Sequence, residues 1–422
     1  MMIDNNFEEN SALEMDTSDG LLKYREMFHI PKIANGEYSI YLVGNSLGLQ
    51  PINTIQYIQQ EIKTWKILGV NGHHEGERPW GSYESTINNK MASLAGSKVD
   101  EVVTMNSLTV NLHLLMVSFY RPTQERYKIM MEAKAFPSDQ YAVASQLKFH
   151  GYQPEEGIVE IEPREGETTI RTEDILKTIE KEGKSIALIL IGGINYYSGQ
   201  LFDMKEITRA GHVQGCVVGF DLAHAIGNVP LKLHDWDVDF AAWCNYKYIN
   251  AGPGSVASVF VHNRQGRNED LPRFAGWWGH NKETRFEMPS KFDPIPGAEG
   301  WQISNLNILS AAPLLPSLDL FQEVGMDALR EKSVKLTGYL EYLLNQLNSE
   351  AFTIITPSDP EQRGCQLSIR FTSGGKTIHE RLTGKNVMCD YREPGVIRVA
   401  PAPFYNSFDD VYRFVEILKE IV

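Results

Sequence analysis

The middle of the chain alternates short, unbroken apolar runs with helical patterns, and this alternation restricts the possible folds more than any other feature. Three of the runs are Ser185–Ile191 (SIALILI), Cys216–Phe220 (CVVGF) and Asp239–Cys244. An unbroken apolar strand is buried on both faces, which is typical of a parallel sheet covered by helices on both sides. The sequence therefore predicts an α/β fold with a mainly parallel sheet.

Further elements are predicted on either side of this region. The first 20 residues are expected to form a disordered lead, followed by a short helix. Phe136–Asp139 carries a turn signal, and Ser407 begins a capping box with Asp410. Helices are predicted at Leu21–Met27, Thr54–Leu68, Thr172–Lys181 and Met326–Leu347, and further strands at Tyr127–Glu132, Phe352–Ile355, Cys365–Phe371 and Val396–Ala400.

Composition excludes several kinds of partner. The 422 residues suggest about two or three domains. A net charge of −14 without a basic block argues against nucleic acid or an anionic membrane. The four cysteines form no C-x-x-C pair, and no apolar run reaches the length of about 18 residues that a membrane span needs. The N-terminal segment is acidic and polar, unlike a signal peptide. We therefore expect a reduced, soluble, cytoplasmic protein.

The common catalytic motifs are incomplete or lie outside the context that they require. Gly375-Lys376-Thr377 resembles the end of a P-loop, but the first glycine of that motif would fall at Arg370. His73-His74-Glu75 is not H-E-x-x-H and has no third clustered ligand, so we expect no metal site. Neither G-x-G-x-x-G nor G-x-S-x-G occurs in a suitable context.

Two charged residues stand at or near predicted strand ends. Asp221 follows the strand CVVGF, and Lys247 follows the next strand, just before the Gly-rich turn Asn250–Gly254. In a parallel sheet such residues meet at the edge where ligands bind. An aldehyde cofactor requires this pair, because the lysine amine condenses with the aldehyde while the aspartate keeps the pyridine nitrogen protonated. The spacing alone is equally consistent with an aspartate capping a turn and a surface lysine.

Additional residues favour a cofactor. Ser107 opens an apolar helix, whose free N–H groups attract a phosphate. Phe136 could cover a flat cofactor, although filling the core is the more common role of a phenylalanine, and Asp139 could simply be a turn residue. Arg398 interrupts an apolar strand, where a guanidinium usually binds a carboxylate of the protein or of a substrate.

At these residues the sequence resembles the kynureninase family of fold-type I pyridoxal-phosphate enzymes. The matching blocks are GNSLGLQP (Gly44–Pro51), NSLTVNLHLLM (Asn106–Met116), EAKAFPSD (Glu132–Asp139), FDLAHAIGNVPLKLHDWDVDFAAWCNYKYINAGPG (Phe220–Gly254), GWWGH (Gly276–His280), ISN (Ile303–Asn305) and IRVAPAPFYNSF (Ile397–Phe408). The resemblance implies an aspartate-aminotransferase-like α/β fold. It implies an N-terminal arm (1–52), a large domain with a mainly parallel seven-stranded sheet (53–310) and a smaller C-terminal α+β domain (311–422).

The resemblance also implies roles for individual residues. Lys247 would bind the cofactor covalently and move the substrate's α-proton, with Asp221 and Tyr246 as the other catalytic residues. The other residues implied to bind pyridoxal 5'-phosphate are Leu108, Thr109, Phe136, Pro137, Ser138, Asp139, Gly192, His224, Trp277 and Asn305. The residues implied to bind substrate are Ser46, His73, Asn305 and Arg398. Trp277 and Asn305 would come from the neighbouring subunit of a homodimer with shared sites.

The implied reaction is hydrolysis of the Cβ–Cγ bond of L-kynurenine or 3-hydroxy-L-kynurenine, which gives L-alanine and anthranilate or 3-hydroxyanthranilate. Asn305 and His73 beside the substrate ring imply a preference for the 3-hydroxylated substrate, whose product leads toward NAD. The chain departs from the family pattern at Gly192, where the family tends to have a hydroxyl, and a gapless count favours His73 over His74. The alternatives are a cysteine desulfurase, a group-V aminotransferase or a non-catalytic ligand-binding protein with this fold.

Overall fold

The computed structural model describes residues 5–33 and 36–422 and contains a large sheet, a smaller sheet and two short strand pairs. The strands are β1 (Phe28–His29), β2 (Ile40–Tyr41), β3 (Gln50–Pro51), β4 (Val102–Thr104), β5 (Lys128–Glu132), β6 (Ile158–Ile161), β7 (Ile186–Gly192), β8 (Val217–Asp221), β9 (Phe240–Trp243), β10 (Ser258–Val261), β11 (Phe352–Ile354), β12 (Leu367–Phe371), β13 (Val387–Met388), β14 (Asp390–Arg392) and β15 (Val396–Val399).

The helices lie between these strands and at both ends of the described chain. They are α1 (Asn5–Ser18), α2 (Thr54–Leu68), α3 (Tyr83–Ala95), α4 (Leu108–Phe119), α5 (Pro137–Phe149), α6 (Pro154–Gly157), α7 (Thr172–Glu182), α8 (Met204–Val213), α9 (Asn263–Gly266), α10 (Ile308–Ala311), α11 (Leu314–Val324), α12 (Met326–Gln346), α13 (Gly375–Gly384) and α14 (Phe408–Lys419). The predicted short helix is present as a 3-10 turn at Leu22–Met27. The predicted turn at Phe136–Asp139 is instead the start of α5, because Pro137 occupies a first helical position that needs no N–H donor.

The large sheet has seven strands in the order β4-β10-β9-β8-β7-β5-β6. Pairing is parallel from β9 through β6, and only β10 runs antiparallel to its two neighbours. This confirms the predicted mainly parallel seven-stranded sheet. The chain leaves β5, adds β6 on one side and returns to place β7 on the other. The crevice beside β5 is therefore a topological switch point, where α/β sheets bind ligands.

Both faces of the large sheet are buried, which explains its unbroken apolar strands. In β7, Ile189 and Ile191 enter one apolar core, while Leu188 and Leu190 enter a separate core on the opposite face. Successive side chains of a strand point to opposite faces, so every position of such a strand must be apolar. The pattern that predicted the fold is the direct result of this two-sided burial.

The smaller sheet has the order β11-β12-β15-β14 and is antiparallel throughout. Its apolar core also takes residues from α12 and α14. The predicted disordered lead is wrong for residues 5–18, which form α1; residues 1–4 lie outside the described residues. Helix α1 is held by its tertiary contacts: Ala12 is buried in the small core, and the Asp16 carboxylate accepts the N–H groups of Phe408 and Asp409.

Within the described ranges, no helix combines the length and the apolar character needed to cross a membrane.

Candidate active site

A cavity of about 330 Å³ opens at the carboxyl ends of the central strands, between the two sheets. The residues that line it come from the large sheet, the loops after its strands, the N-terminal segment and the small sheet. They are Asn45, Ser46, Ser107, Leu108, Thr109, Glu132, Phe136, Ser138, Asp139, Gly192, Ile194, Tyr196, Asp221, Ala223, His224, Tyr246, Lys247, Arg392 and Arg398.

Three neighbouring strand ends form the floor of the cavity. Gly192 ends β7 directly opposite Asp221, the last residue of β8. Glu132 ends β5, and its carboxylate oxygens accept the N–H group of Gly192 at 3.1 and 3.3 Å. The parallel sheet therefore brings together carboxylates that are about 90 residues apart in the sequence.

The buried carboxyl groups on this floor hold different numbers of protons. Burial raises the pKa of Asp139 well above its usual value, and the nearby Asp221 and Glu132 add to that effect. Burial also raises the pKa of Asp221, but the Ala223 N–H group, the Lys247 ammonium and a hydrogen bond from Asp139 oppose the shift. We conclude that Asp139 carries the shared proton and donates it, and that Asp221 keeps the negative charge.

Lys247 is fixed by a tight turn and by the N-terminal segment. The turn after Lys247 has positive φ angles at Asn250 and Gly252. Gly48 packs directly on this turn, and its N–H group donates to the Tyr246 carbonyl at 2.8 Å. A Cβ atom at Gly48 would lie 2.2 Å from the Lys247 carbonyl oxygen, so only glycine allows this approach.

The Lys247 amine contacts a neutral histidine. Lys247 Nζ lies 2.9 Å from His224 Nε2. Burial lowers the pKa of His224 well below its usual value, and the charges of Lys247 and Arg398 lower it further. The His224 imidazole is therefore neutral and accepts a hydrogen bond from the Lys247 amine. Its other nitrogen, Nδ1, is buried and has no hydrogen-bond partner in the part of the chain that the structure describes.

The start of α4 also lines the cavity, through Ser107, Leu108 and Thr109. Ser107 precedes the helix in an extended conformation and its side chain forms no capping bond. Leu108 and Thr109 occupy the first helical positions, whose N–H groups have no partner within a helix. These free donors and the helix dipole make the end of α4 suitable for a phosphate group.

An aromatic wall and an arginine complete the site. The half-exposed Phe136 ring lines the cavity, 5.9 Å from Lys247 Nζ and in edge contact with Tyr196. Arg398 on β15 is only 2% exposed and is held by Asp390 and by the Tyr196 carbonyl. A cation and a helix N-terminus that line the same cavity suit a ligand with two anionic groups.

Comparison with known proteins identifies relatives along nearly the whole chain. Residues 329–418 match the family model described as the kynureninase C-terminal domain. The chain is 57% identical over 408 residues to kynureninase from Koribacter versatilis, covering 97% of this chain and 96% of that protein. It is 48% identical to kynureninase from Mus musculus, covering 98% and 93%. The chain belongs to the kynureninase family.

Solved structures of other fold-type I enzymes show the same fold at low identity. An apo cysteine desulfurase from Thermococcus onnurineus superposes with a TM-score of 0.74 at 15% identity, covering 91% of this chain and 94% of that one. A mutant of C-DES with glycine linked to its pyridoxal-phosphate cofactor gives 0.77 at 16% identity, covering 94% and 99%. Membership of this family confirms the predicted carbon–carbon hydrolase and its pyridoxal-phosphate cofactor.

Four residues implied by the family resemblance do not line this cavity. Pro137 begins α5 beside the cavity but does not line it. His73 packs against Trp80 with its Nδ1 3.0 Å from the Val70 carbonyl oxygen. Trp277 is 48% exposed and Asn305 is also exposed on the surface of the chain. The structure therefore places His73, Trp277 and Asn305 away from the cavity of their own chain.

Sequence reasoning missed four charged or aromatic residues that line the cavity or contact a lining residue. Glu132 lies at a strand end next to the predicted Phe136, and a strand-end carboxylate is the same signal that identified Asp221. Tyr196, Asp390 and Arg392 had no comparable signal, because they lie in a loop and on a short edge strand whose position depends on the rest of the fold. Asp390 and Arg392 share that edge strand, β14.

Outside this site, Glu101, His234 and His262 form the cluster among the described residues that most resembles a metal site. The two imidazole rings stack 4.8 Å apart and nearly parallel, so their nitrogen lone pairs cannot converge on one ion. Glu101 Oε1 already accepts from the Asn263 N–H group, and His262 Nδ1 accepts from that of Arg264. The cluster is a hydrogen-bonded contact between β10 and its surroundings.

Proposed function

We propose that the chain is a kynureninase that hydrolyses the Cβ–Cγ bond of L-kynurenine or 3-hydroxy-L-kynurenine. The products are L-alanine and anthranilate or 3-hydroxyanthranilate. The observation that carries the proposal is that Lys247, Asp221 and Arg398 meet at one cavity in a chain of this family. Such a reaction needs an amine to move protons, a carboxylate to hold the cofactor protonated and a guanidinium to bind an amino-acid carboxylate.

The residues of the cavity fit pyridoxal phosphate. The N–H groups of Leu108 and Thr109 would hold the phosphate, and Asp221 would pair with the pyridine nitrogen. Two buried polar atoms that line the same cavity, Asp139 Oδ1 and His224 Nδ1, have no hydrogen-bond partner among the described residues. When bound, pyridoxal phosphate supplies the electron sink for negative charge that develops on the substrate.

The side chains around the cavity divide the proton transfers between them. Lys247 would take the α-proton and return it, and the neutral His224 at 2.9 Å would orient the amine by accepting a hydrogen bond from it. Tyr246 keeps its phenolic proton, because burial raises its pKa above the usual value of about 10. It is our candidate donor when the carbon–carbon bond breaks.

We further infer a homodimer with shared sites. The exposed positions of Trp277 and Asn305 support this, because both residues are then available to the cavity of a second copy of the chain. Mixing Trp277→Ala subunits with Lys247→Ala subunits tests the proposal, since each hybrid dimer would contain one intact site. We expect about one quarter of wild-type activity per subunit after random mixing. An inactive mixture that contains hybrid dimers would contradict shared sites.

A preference for 3-hydroxykynurenine is part of the proposal. An asparagine amide from the second copy, Asn305, can hydrogen-bond a ring hydroxyl, and a site built for such a bond discriminates against the ligand that lacks it. The measurement is kcat/KM for both substrates in wild type and Asn305→Thr. A ratio that favours plain kynurenine, or that the substitution leaves unchanged, would refute the preference and leave the activity unaffected.

The decisive experiment for the activity uses the purified protein with pyridoxal phosphate and L-kynurenine. We expect release of fluorescent anthranilate together with one equivalent of L-alanine, and loss of both in Lys247→Ala. Parallel reactions with L-cysteine, and with L-alanine plus a keto acid, test the desulfurase and aminotransferase alternatives. Sulfide release, or transamination faster than anthranilate release, would overturn the proposal.

The cysteines argue against the desulfurase alternative. All four are buried and unpaired. Burial raises the pKa of Cys365 and of Cys389 to about 12, so neither thiol provides the reactive thiolate that sulfur transfer needs. Unpaired cysteines are also typical of a reducing compartment, which supports our inference that the enzyme is cytoplasmic. The proposed reaction would place it in tryptophan breakdown toward NAD.

A further inference from the structure

Arg398 is largely occupied before any substrate binds. Its Nε donates to Asp390 Oδ1 at 2.6 Å, and its Nη2 donates to Asp390 Oδ2 and to Ser46 Oγ. Its Nη1 donates to the Tyr196 carbonyl at 2.8 Å. A guanidinium has five N–H bonds, so these four contacts leave about one donor for a ligand. A substrate carboxylate therefore cannot bind Arg398 through two parallel hydrogen bonds unless Asp390 gives way.

A second arginine lies within reach of the same aspartate. Arg392 lines the cavity, and its side chain is 38% exposed. Its Nη2 lies 3.4 Å from Asp390 Oδ2, and its Nη1 donates to the carbonyl of its neighbour Tyr391. Neither contact is a strong paired hydrogen bond to a carboxylate, so Arg392 has donors to offer a new anion.

The two arginines and Asp390 together carry one excess positive charge, which one bound anion would neutralise. Arg392 and Arg398 are two cations and Asp390 is one anion, and the neighbouring His224 is neutral. Burial lowers the pKa of Arg392, and the like charge of Arg398 lowers it further. Their excess positive charge is neutralised when one carboxylate binds.

We propose that Asp390 and Arg392 are specificity-determining parts of the substrate-carboxylate site. In the absence of substrate, the Asp390 carboxylate binds the Arg398 guanidinium and keeps it oriented. When an amino-acid carboxylate binds Arg398, Asp390 turns to Arg392, which lies on the same strand two residues away. This inference rests on the proposed function, because it assigns the ligand of this end of the cavity.

Binding of L-alanine to the holoenzyme tests the proposal without requiring turnover. L-Alaninamide carries the same amine and methyl group but has no carboxylate, so it is the matched ligand. The dissociation constants of both are measured from the change in cofactor absorbance. We expect Arg392→Gln to weaken L-alanine binding by about tenfold and to leave alaninamide binding nearly unchanged. Arg392→Lys should recover most of the loss, because the role requires a positive charge. With kynurenine as the substrate, Arg392→Gln should change KM more than kcat.

Asp390→Asn gives a test of opposite sign. The asparagine keeps the shape and can still accept from Arg398 Nε, but it no longer competes with a ligand carboxylate. We expect L-alanine to bind a few-fold more tightly to this variant than to wild type. The control is Arg370→Gln, an exposed arginine on β12, which pairs with β15 on the side away from β14. This substitution should change neither constant.

Equal losses for L-alanine and alaninamide in Arg392→Gln would mean that Arg392 has no carboxylate-specific role. Weaker L-alanine binding in Asp390→Asn would mean that Asp390 is only a structural partner of Arg398. Either result overturns the inference. Failure of the wild type to release anthranilate would instead refute the proposed function, and the two dissociation constants would still be measurable.

Discussion

Glu132 provides the most direct test of the electrostatics of the site. Its carboxyl group is buried at the end of β5, and it accepts the Gly192 N–H group. Burial raises its pKa to about 7, and the nearby Asp221 charge adds to the effect. The substitution Glu132→Gln keeps the size and an accepting oxygen, and it removes only the titration. The experiment uses cofactor-free protein, because a bound cofactor would add charges of its own.

The expected effect on stability follows from the pKa difference. The ordinary pKa of a glutamate is 4.5, so the pKa of Glu132 in the folded protein is about 2.5 higher. A pKa difference of 1 between the folded and unfolded states corresponds to about 1.4 kcal/mol of unfolding free energy. Between these two pKa values the folded state holds a proton that the unfolded state has lost. The contribution of Glu132 is therefore present below about pH 4.5 and is lost as the pH rises through about 7. The full loss is about 3 kcal/mol of unfolding free energy.

Urea unfolding at fixed protein concentration, followed by circular dichroism between about pH 5 and pH 8, measures this loss. We expect Glu132→Gln to match wild type at the acidic end and to be more stable by up to ~3 kcal/mol at the basic end. The control is Glu160→Gln, an exposed glutamate on the adjacent strand β6, which should leave the profile unchanged. If the Glu132→Gln and wild-type profiles fell in parallel, the assigned pKa would be refuted.

Four other substitutions test the cofactor site. Lys247→Ala should fold with an unchanged circular dichroism spectrum but lose the visible absorbance of lysine-bound cofactor and at least about 10³-fold in kcat/KM; retained turnover would exclude Lys247. Asp221→Ala should lower kcat/KM by about 10²- to 10³-fold, while Asp139→Asn should cost less than about tenfold because Asp139 is already neutral; similar losses would contradict this assignment of charge. Gly192→Ser places a Cβ atom 3.0 Å from Glu132 Oε1 and adds a hydroxyl at the cavity. It should tighten cofactor binding several-fold in a fluorescence titration, and weaker binding would show that this chain has no room for the hydroxyl.

The central elements were predictable because their signals are local. The strand predicted at Ser185–Ile191 is β7 (Ile186–Gly192), and the helix predicted at Thr54–Leu68 has those same bounds. An unbroken apolar run and a helical repeat of apolar residues are set by residues close together in the sequence. They therefore predict an element without knowledge of the rest of the fold. Helix α1 was not predicted, because the contacts that hold it are with α14, almost 400 residues away along the chain.

The same distinction applies to the site. Asp221 and Lys247 follow strong strand signals, and the structure brings them to one cavity. Glu132 was missed because a glutamate that ends a strand is most often solvated, and its burial depends on β7 being placed next to β5. The pairing of Asp390 with Arg398 arises from the antiparallel register of β14 with β15, in which these residues lie opposite each other. No pattern within either segment specifies that register.

The N-terminal segment connects the two sheets at the site, which leads to a last prediction. Strand β2 pairs with β13 beside the small sheet, while Gly48 packs on the Lys247 turn. In Gly48→Ala, the added Cβ atom would lie 2.2 Å from both the Lys247 carbonyl oxygen and the Asn250 side-chain oxygen. Relieving this overlap requires the backbone at Lys247 to move, which is energetically costly. We therefore expect a loss of about 1–3 kcal/mol in unfolding free energy and a displaced lysine. The measurements are urea unfolding and the rate at which added pyridoxal phosphate gains its lysine-bound absorbance. Gly338→Ala is the control, because a Cβ atom there meets nothing within 4 Å and lies inside α12, where alanine favours the helix. If Gly48→Ala equalled this control in both measurements, the N-terminal segment would not be what positions Lys247.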